Sequence, residues 1–317
     1  MTLPLQTSQT IWGAAKETTV FTPVNPSTSD QFFMVKNMKP SDEADEIVDN
    51  GYRGLMTEDF ESYQGFRSAK LSFDLFAYPV PLGTAFMGIF GADGWTLGST
   101  HPFTVAAAFP PSYTFSDFYG VAGSSTRRYA GHYFETVDIS YASTGELKVS
   151  CTTMGEASPA QTLAVKPTAV FDSSLPFLPY ENVATINNVA NSNLIAFQAK
   201  FARKVEVNFG ANGTQDPTSV SVGPLGITGK LTFRPADDTE LNYYENATKI
   251  TPNTFVFTSG ANSLTIAMTQ MRLIKPTIID RSTHYAKVSA AYRAVYNATD
   301  GGPGKVTLVG GKSGGAY

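Results

Sequence analysis

Cysteine, histidine and long apolar runs are scarce in this sequence, and each scarcity excludes a class of protein. Cys151 is the only cysteine among 317 residues, so no disulfide framework can form within the chain. The three histidines, His101, His132 and His284, lie far apart, which argues against a structural zinc site. No run of about 18 apolar residues is present, so a membrane-spanning helix is not expected. Because the N-terminus lacks a basic leader and an apolar stretch, we expect synthesis and folding in a cytoplasm.

Charge is low overall and concentrated in one segment. The chain carries 27 acidic and 23 basic residues, a net charge of -4. Eight of the acids lie between positions 42 and 61, where Arg53 is the only base; they are Asp42, Glu43, Asp45, Glu46, Asp49, Glu58, Asp59 and Glu61. The other 19 acids and 22 bases leave the rest of the chain at about +3. The segment lacks the ligand spacing of a calcium loop, so we interpret it as a solvated loop on which a partner's basic surface can dock.

The composition favours strands separated by turns over long helices. The chain is 42% hydrophobic and 16% charged, contains 27 glycines and 19 prolines, and is rich in Thr, Val, Phe and Tyr. At about 150 residues per domain, its length suggests two domains. Four prolines between 159 and 180 predict an extended linker. The expected organisation is an N-terminal arm (1–29), a first β domain (30–158), a Pro-rich linker (159–180), a second β domain (181–309) and a flexible tail (310–317).

The sequences on the two sides of this linker resemble each other. The KLSF sequence at 70–73 matches KLTF at 230–233, and both alternate apolar and polar residues as a half-buried strand does. Each is followed by a predicted short helix, an aromatic strand and a hairpin; the ranges are 82–90, 113–118 and 137–151 in the first half, and 238–248, 255–258 and 288–308 in the second. A four-residue match can arise by chance, but the order of elements matches as well. The sequence therefore predicts a mainly β fold of two tandem domains, each with one short α-helix.

Patterns that resemble catalytic or nucleic-acid-binding motifs fail when their context is considered. The GKSGG sequence at 311–315 fits G-x-S-x-G but lacks the following helix and the downstream acid and histidine that hydrolases need. His132 with Glu135, and His284 with Asp280, are conceivable acid–base pairs, although a lone histidine near a strand end is more often structural. Lysine and arginine are dispersed and not interleaved with aromatic residues, so no nucleic-acid readout is predicted. We expect neither enzymatic activity nor a metal or cofactor.

A known family shares several of these features. Residues 129–155, which run from YAGHYFETVDISY to GELKVSCTTMG, resemble a hairpin of the tail tube proteins of long-tailed, non-contractile bacteriophages. The preceding LGTAFMGIFGADGW resembles the short helix of that family, and the GKLTF strand, the DDTEL helix start and the last hairpin resemble a second copy. The similarity extends over residues 30 to 310, although the acidic segment of the first half has a Gly-, Ser- and Thr-rich counterpart at 203–226.

The resemblance implies a fold, an assembly and a set of partners. Each domain would be a small β-sandwich or split barrel beside a helix, and copies would join sheet to sheet into rings that stack into a tube. Two such domains per chain imply a trimeric ring, with a ring of six chains as the alternative. The tube would conduct the genome DNA during ejection, and its mildly acidic charge fits a wall that does not hold phosphates. The eight acids from Asp42 to Glu61 would line the lumen or contact the next ring, and the arm 1–29 would either order on a neighbouring ring or fray.

The same resemblance implies a location in the virion tail, with assembly in the host cytoplasm. The partners would be further copies of the chain and the tape measure, tail terminator and distal tail proteins. DNA would pass only transiently and without specificity, and no membrane partner is implied.

A binding module is the main alternative. A two-domain β-sandwich adhesin or carbohydrate-binding virion protein would use exposed aromatic residues as its ligand platform. Trp12 and Trp95 are the only tryptophans, and neither lies in an aromatic cluster of the sequence. Assembly into rings and the binding of a glycan are the observations that distinguish the two functions.

Overall fold

The computed structural model describes residues 10–27, 31–51, 53–54, 57–96, 98–119, 126–142, 145–158, 168–235, 239–245, 248–274, 278–280 and 286–317. As the sequence predicts, the fold is mainly β. The first half contains strands β1 (Ile11–Lys16), β2 (Phe32–Phe33), β3 (Val35–Asp49), β4 (Glu61–Phe76), β5 (Gly91–Asp93), β6 (Thr100–Val105), β7 (Tyr113–Phe118), β8 (Thr126–Ala142) and β9 (Lys148–Gly155), and helix α1 (Pro79–Phe90). The second half contains strands β10 (Asn182–Ile186), β11 (Val189–Ala190), β12 (Leu194–Ala202), β13 (Val205–Asn208), β14 (Ser219–Val222), β15 (Gly226–Phe233), β16 (Thr254–Ser259), β17 (Asn262–Ala267), β18 (Met271–Leu273), β19 (Ile278–Asp280), β20 (Lys287–Ala294) and β21 (Lys305–Val309), and helix α2 (Thr239–Glu245).

Most of these strands form two large antiparallel sheets. The first sheet has the order β3-β4-β9-β8-β12-β15-β20, followed by β18 and β19, which both pair with β20. Strands β7, β1 and β2 extend this sheet beside the N-terminal part of β8. The second sheet has the order β11-β10-β16-β17-β21-β6-β5, and β13 and β14 form a separate hairpin. Both large sheets therefore contain strands from both halves of the chain.

Two strand pairings join the halves. In the first sheet β8 pairs with β12, where Val137 lies opposite Phe201. In the second sheet β6 pairs with β21, where His101 lies opposite Leu308. The buried side chains form one continuous cluster that includes residues of both halves, such as Phe73 and Phe233. The domains 30–158 and 181–309 stay a prediction, and the described residues form a repeated arrangement around a shared core.

The repeat is visible in the order of strands in the first sheet. The matching sequences lie on β4 and β15, and each is second in a set of four: β3-β4-β9-β8 is followed by β12-β15-β20-β18/β19. The predicted alternation is confirmed, because Leu71 and Phe73 on β4, and Leu231 and Phe233 on β15, are buried. The residues between them are less buried, so the first sheet has one face on the core and one face toward solvent.

Helix α1 packs against β8 of the first sheet and β5, β6 and β21 of the second. It begins at Pro79, earlier than the predicted Leu82, because the fixed φ of proline suits the first helical position. It ends at Phe90 and is capped by Gly91, whose φ of 89° lies in the left-handed region that favours glycine. Val80 is its only residue that is not buried. The second helix lies inside the predicted range 238–248, but Asp238 itself is outside the described residues.

The first predicted hairpin is confirmed and the second is wrong. Strands β8 and β9 pair as expected, with Val137 opposite Cys151. Strand β20 instead pairs with β15, β18 and β19, and β21 pairs with β17 and β6, so these two strands lie in different sheets. The connection is long enough to cross between sheets, and it is closed by hydrogen bonds between Asn297 and Gly302. Local alternation shows that both strands are half-buried, but it contains no information about which sheet each one joins.

The two ends of the described chain are more ordered than the sequence suggests. Strand β1 pairs with β7, and Trp12 is 1% exposed in the core, so residues 10–27 of the expected arm belong to the fold. The segment 310–317, predicted to be a flexible tail, packs against the fold at its end, where the Tyr317 side chain is 8% exposed. The Tyr317 hydroxyl accepts a hydrogen bond from the Lys312 backbone N–H at 2.7 Å, and the backbone N–H of Tyr317 donates to Asp93 Oδ2 at 3.1 Å.

Candidate functional site

The eight acidic residues lie on a hairpin that projects beyond the first sheet. Strand β4 pairs with β9 only from Ala69 to Phe76, whereas β3 and β4 pair with each other as far as Asp49 and Glu61. We call the projecting part, residues 41–68, the acidic arm. Its eight-residue strand segment Glu61–Ser68 corresponds to about 26 Å of extended chain. Five of the acids are on β3, Glu61 is on β4, and Glu58 and Asp59 lie in the connection between them.

The prediction of a loop at this position is therefore wrong. Most residues of the arm are exposed on both faces, so the sequence shows no period-two alternation of buried residues. The register shifts between Lys36 and Lys39 and between Ala44 and Glu46, which interrupts any regular pattern further. Pro40 is compatible with β3 because this strand is at the edge of the sheet.

The base of the arm contacts the β13–β14 hairpin of the second half. The Arg67 guanidinium donates to both carboxylate oxygens of Asp216, at 2.6 and 3.1 Å. Gln215 Nε2 donates to the Gln64 carbonyl at 2.8 Å, and the Phe66 and Phe209 rings stack with centroids 4.7 Å apart. The hydrogen bond to Asp216 raises the pKa of Arg67. These contacts fix where the arm leaves the sheet.

Two of the eight carboxylates are paired within the chain. Asp42 Oδ2 accepts from Arg127 Nη1 at 2.7 Å, and its Oδ1 accepts from the Ser158 backbone at 3.4 Å. Asp49 pairs with Arg53, whose guanidinium lies 4.8 Å from the centre of the Phe60 ring. The remaining six carboxylates form no ion pair within the described part of the chain; they are Glu43, Asp45, Glu46, Glu58, Asp59 and Glu61. The arm therefore presents a dense, uncompensated negative charge.

A partly buried carboxyl group, that of Glu156, lies near the base of the arm. Burial and the charge of Asp216 raise the pKa of Glu156 to about 7, although Arg67 acts in the opposite direction. The Glu156 carbonyl is 3.1 Å from Nε2 of His132, whose pKa is lowered to about 4 by burial. Glu156 is thus a group at the arm that changes charge near neutral pH.

His132, which resembled an acid–base partner of Glu135, has structural contacts instead. Nδ1 of His132 lies 3.1 Å from Thr153 Oγ1, and Glu135 pairs with Lys70. His101 lies between Asp93 Oδ2 at 2.8 Å and the Lys312 carbonyl at 2.7 Å. The predicted pair of His284 with Asp280 stays a prediction because His284 is outside the described residues, and no cluster of three or more metal-binding side chains occurs within them.

A group of cations, not predicted from the sequence, occupies the solvent side of the first sheet. Lys200, Lys230, Arg272 and Arg293 are exposed and lie on β12, β15, β18 and β20. We call this group the cationic face. Arg272 lies directly opposite Arg293, and Thr228 lies between Lys200 and Arg293 in the same row. These residues are dispersed along the sequence, and the only available signal was that each occupies a polar position of an alternating strand.

The first sheet is open at both ends. Strand β3 has β4 on one side, and β18 and β19 have β20 on one side; among the residues described no further strand lies on their outer edges, although Ile250 forms two backbone hydrogen bonds with Met271 at the start of β18. An open edge presents unpaired N–H and C=O groups to which another chain can add. The equivalent edges at the junction of the two repeats, those of β8 and β12, are already paired with each other.

Comparison with known proteins identifies the family. Residues 7–310 match the family of phage tail tube proteins. The chain belongs to the phage tail tube family. No curated protein matches it. The family makes the chain a structural component of the virion tail that associates with itself and with other tail proteins, and a mainly β fold with an open sheet is consistent with self-association.

Two observations on the tail tube chain bear on the other function classes. No helix within the described ranges is long and apolar enough to cross a membrane. Trp12 is buried, and Trp95 is only partly exposed, with its Nε1 donating to the Gly98 carbonyl at 2.9 Å. The two tryptophans therefore do not form an exposed platform of the kind that binds sugars.

Proposed function

We propose that this chain closes into trimeric rings, that the rings stack into the phage tail tube, and that the lumen conducts the genome DNA during ejection. The observation that carries the proposal is the pairing of β8 with β12, because it joins the two repeats of one chain edge to edge. Strand β12 occupies the same place in the second repeat as β3 does in the first, and β18/β19 occupy the place of β8. The open edges of β3 and β18/β19 are thus equivalent to the edges of β12 and β8, which already pair with each other.

The same equivalence determines the direction of association. If β18/β19 of one copy add to β3 of the next, every copy uses one edge of each kind, which is a head-to-tail contact. Repetition of that contact closes a ring when the rotation between copies fits a whole number of steps. Three chains with two repeats each supply six similar units, and a ring of six chains is the alternative.

The solvent side of the first sheet suits the lumen. Its small polar residues include Ser72, Ser140, Ser150 and Thr228, and its ion pairs include Lys70 with Glu135 and Lys36 with Glu146. On the strands of the first repeat, hydroxyl groups and compensated charges offer few of the phosphate contacts that would retard DNA, whereas the strands of the second repeat carry the cationic face. The acidic arm then lies at a rim of the ring, where it lines the entrance or reaches the next ring.

The other partners and the place of assembly follow from the same proposal. Tape measure, tail terminator and distal tail proteins meet the ends and the lumen of the tube, and assembly takes place in the host cytoplasm. The work is mechanical, and no catalytic step is assigned to any residue of the chain.

Electron microscopy of the purified chain over a range of concentrations tests the proposal. We expect rings and hollow tubes whose class averages have threefold symmetry. Sixfold averages of identical units would favour six chains instead. A chain that stays monomeric at every concentration and binds a glycan would contradict the proposed function and support the adhesin.

A further inference from the structure

A cavity lies where strand β1, helix α1, strand β7 and the C-terminal segment 310–317 meet. Its volume is about 180 Å³, whereas about 10 to 15 Å³ is enough to hold one water molecule. Its lining includes Lys16 of β1, Thr84 of α1 and Tyr113 of β7. Lys312 and Tyr317 of the C-terminal segment also line it. Four parts of the chain that are distant in sequence therefore surround one space that is large enough for a small ligand.

The Tyr113 hydroxyl is a buried polar group without a partner in this cavity. The residue is 2% exposed, and its hydroxyl forms no hydrogen bond within the described part of the chain. Tyr292 shows the usual arrangement, because its equally buried hydroxyl donates to the Gln198 carbonyl at 2.9 Å. Burial raises the pKa of Tyr113, so its O–H stays neutral and can act as a donor. The hydroxyl is thus available to an acceptor that enters the cavity.

Two ammonium groups line the same cavity. Lys16 Nζ donates to the main-chain oxygen of Tyr317 at 2.9 Å. Burial and the charge of Lys312 lower the pKa of Lys16, and Asp93 acts in the opposite direction. The carboxylate of Asp93 is already engaged, because its Oδ2 accepts from the Tyr317 N–H at 3.1 Å and lies 2.8 Å from Nδ1 of His101. The cavity is therefore electropositive and favours a negatively charged ligand.

The GKSGG sequence, which fails as a hydrolase motif, supplies one of these lysines. Lys312 lies in the glycine-rich stretch 310–315, and the main-chain N–H groups of residues 313–316 donate to no other residue that the structure describes. Unpaired main-chain N–H groups and a lysine are the groups with which glycine-rich loops hold phosphate. No helix follows this loop in the chain, so the arrangement differs from a nucleotide-binding P-loop and suits a smaller anion.

We propose that this cavity binds a small oxyanion of the phosphate type, held by Lys16, Lys312 and the Tyr113 hydroxyl. A phosphate group carries a charge of about −1.5 to −2 at pH 7, which two ammonium groups can balance. The Tyr113 O–H donates to one of its oxygens and thereby gains the partner that it lacks. The site does not depend on the proposed function, because all three groups belong to one chain.

The bound anion connects the N-terminal strand β1 to the C-terminal segment. Lys16 and Lys312 are about 300 positions apart in the sequence, so only the folded chain brings them together. A ligand that binds the folded chain alone stabilises it in proportion to the logarithm of the ligand concentration. Phosphate should therefore raise the urea concentration at the midpoint of unfolding.

Equilibrium dialysis with labelled inorganic phosphate tests the proposal. Sodium chloride keeps the ionic strength constant, so that general screening is not mistaken for binding. The variants are Y113F, K16M and K312M. Y292F is the matched control for the tyrosine because that hydroxyl is already hydrogen-bonded, and K249M changes an exposed lysine outside the cavity. Circular dichroism verifies that each variant is folded.

We expect saturable binding of one phosphate per chain. Y113F, K16M and K312M should each raise the dissociation constant about tenfold, which is the loss expected of one hydrogen bond to a charged group. Y292F and K249M should bind phosphate like the original chain.

Urea unfolding without phosphate separates a ligand contact from a structural role. Y113F should be as stable as the original chain or more stable, because the hydroxyl that it removes has no partner. Y292F should be less stable, because it loses the hydrogen bond to Gln198. A merely structural role of Tyr113 would instead lower stability in the absence of phosphate.

Three results would overturn the proposal. If the original chain shows no saturable binding of phosphate, the cavity is not an anion site. If Y113F binds phosphate as tightly as the original chain, the hydroxyl contacts only water. If the chain does not bind phosphate, while K16M and K312M weaken its binding of a labelled 30-nucleotide DNA, the two lysines form a nucleic-acid surface instead. Each of these results leaves the proposed assembly into a tube unaffected.

Discussion

At the scale of single residues, several glycines and polar groups have roles that only the packed structure reveals. Gly88 in α1 faces the ring of Phe134, and Gly83 faces the ring of Tyr317; a β-carbon at either position would overlap these rings. Glycine is a poor helix former, so its presence argued against the helix at the sequence level. The close approach of helix and sheet explains why two glycines are nevertheless accommodated there.

Replacement of Gly88 by alanine is expected to destabilise the chain although alanine favours helices. The intrinsic gain is about 1 kcal/mol, whereas overpacking of a core contact costs about 1 to 3 kcal/mol. Phe134 cannot move away easily because its ring also packs edge-on against Tyr113 and Phe115. Urea unfolding should show a net loss of about 1 kcal/mol for G88A. G145A, whose β-carbon would make only ordinary contact, is the control, and a G88A chain as stable as the original would refute the argument.

Glu17 is a second residue whose role depends on its surroundings. Its carboxylate is buried and accepts four hydrogen bonds: from Ser112 Oγ at 2.7 Å, Thr114 Oγ1 at 2.6 Å, the Gly131 N–H at 2.9 Å and the Phe21 N–H at 3.2 Å. It joins the N-terminal segment to β7 and to the bend in β8, where Gly131 has a φ of 62°. This carboxylate is therefore part of the fold's internal polar network.

The E17Q variant should lose about 2 to 3 kcal/mol of unfolding free energy. The amide presents its own N–H groups to donors that need an acceptor, so at least one buried donor is left without a partner. Urea titration measures the loss, and E58Q, which changes an exposed carboxylate, should differ from the original chain by less than about 0.5 kcal/mol. Equal stability of E17Q and E58Q would contradict this role.

At the scale of elements, the sequence predicts those strands whose alternation reports burial. The range 113–118 agrees with β7, and the hairpin of β8 and β9 was predicted with its apolar residues inside. The acidic arm was missed as a hairpin because both of its faces are wet. The pairing of β21 with β6 was not predictable because it joins residues about 200 positions apart, and no local pattern records such a contact. The cationic face was missed for the same reason.

The base of the acidic arm should make stability depend on pH through Glu156. Its pKa of about 7 in the folded chain lies above the ordinary value of 4.5, so between these values the folded chain keeps a proton that the unfolded chain has lost. The free energy of unfolding contributed by this group is therefore full below pH 4.5 and declines as the pH rises to 7.

E156Q removes this contribution and is expected to be more stable than the original chain at pH 8, with the difference vanishing near pH 5. The group is partly exposed and screened, so the difference at pH 8 is of the order of 1 kcal/mol. His132, with a pKa lowered to about 4, changes stability in the opposite direction but is common to both chains. Urea titrations at several pH values give the comparison, and parallel pH profiles for E156Q and the original chain would count against it.

At the scale of the whole molecule, the two halves complete each other's sheets. Strand β12 covers one edge of β8, and β6 covers one edge of β21, so each half alone exposes a strand edge in both sheets. The hydrophobic cluster also extends across both halves. We therefore expect the two halves of the repeat to unfold together as one cooperative unit.

Separate fragments 30–158 and 181–309 are therefore expected to lack cooperative unfolding. Each loses a strand partner and part of the shared core, and thermal unfolding followed by circular dichroism should show a broad transition or none. Mixing the two fragments should restore a sharper transition. A fragment that unfolds as sharply as the full chain would favour two independent domains and would contradict this expectation.

The inequality of the two projecting hairpins has a consequence for how stacked rings orient. The hairpin that projects from the first repeat carries eight acids. The hairpin β13–β14, which belongs to the second repeat, contains only two acids from Val205 to Val222, namely Glu206 and Asp216. In a ring of three such chains, strongly and weakly charged projections alternate around the rim. Two such rings then make equivalent contacts only at relative rotations of 120°, because a rotation of 60° places each strongly charged projection where a weakly charged one would otherwise lie. In such a trimeric ring the duplication would thereby halve the rotational choices of a growing tube.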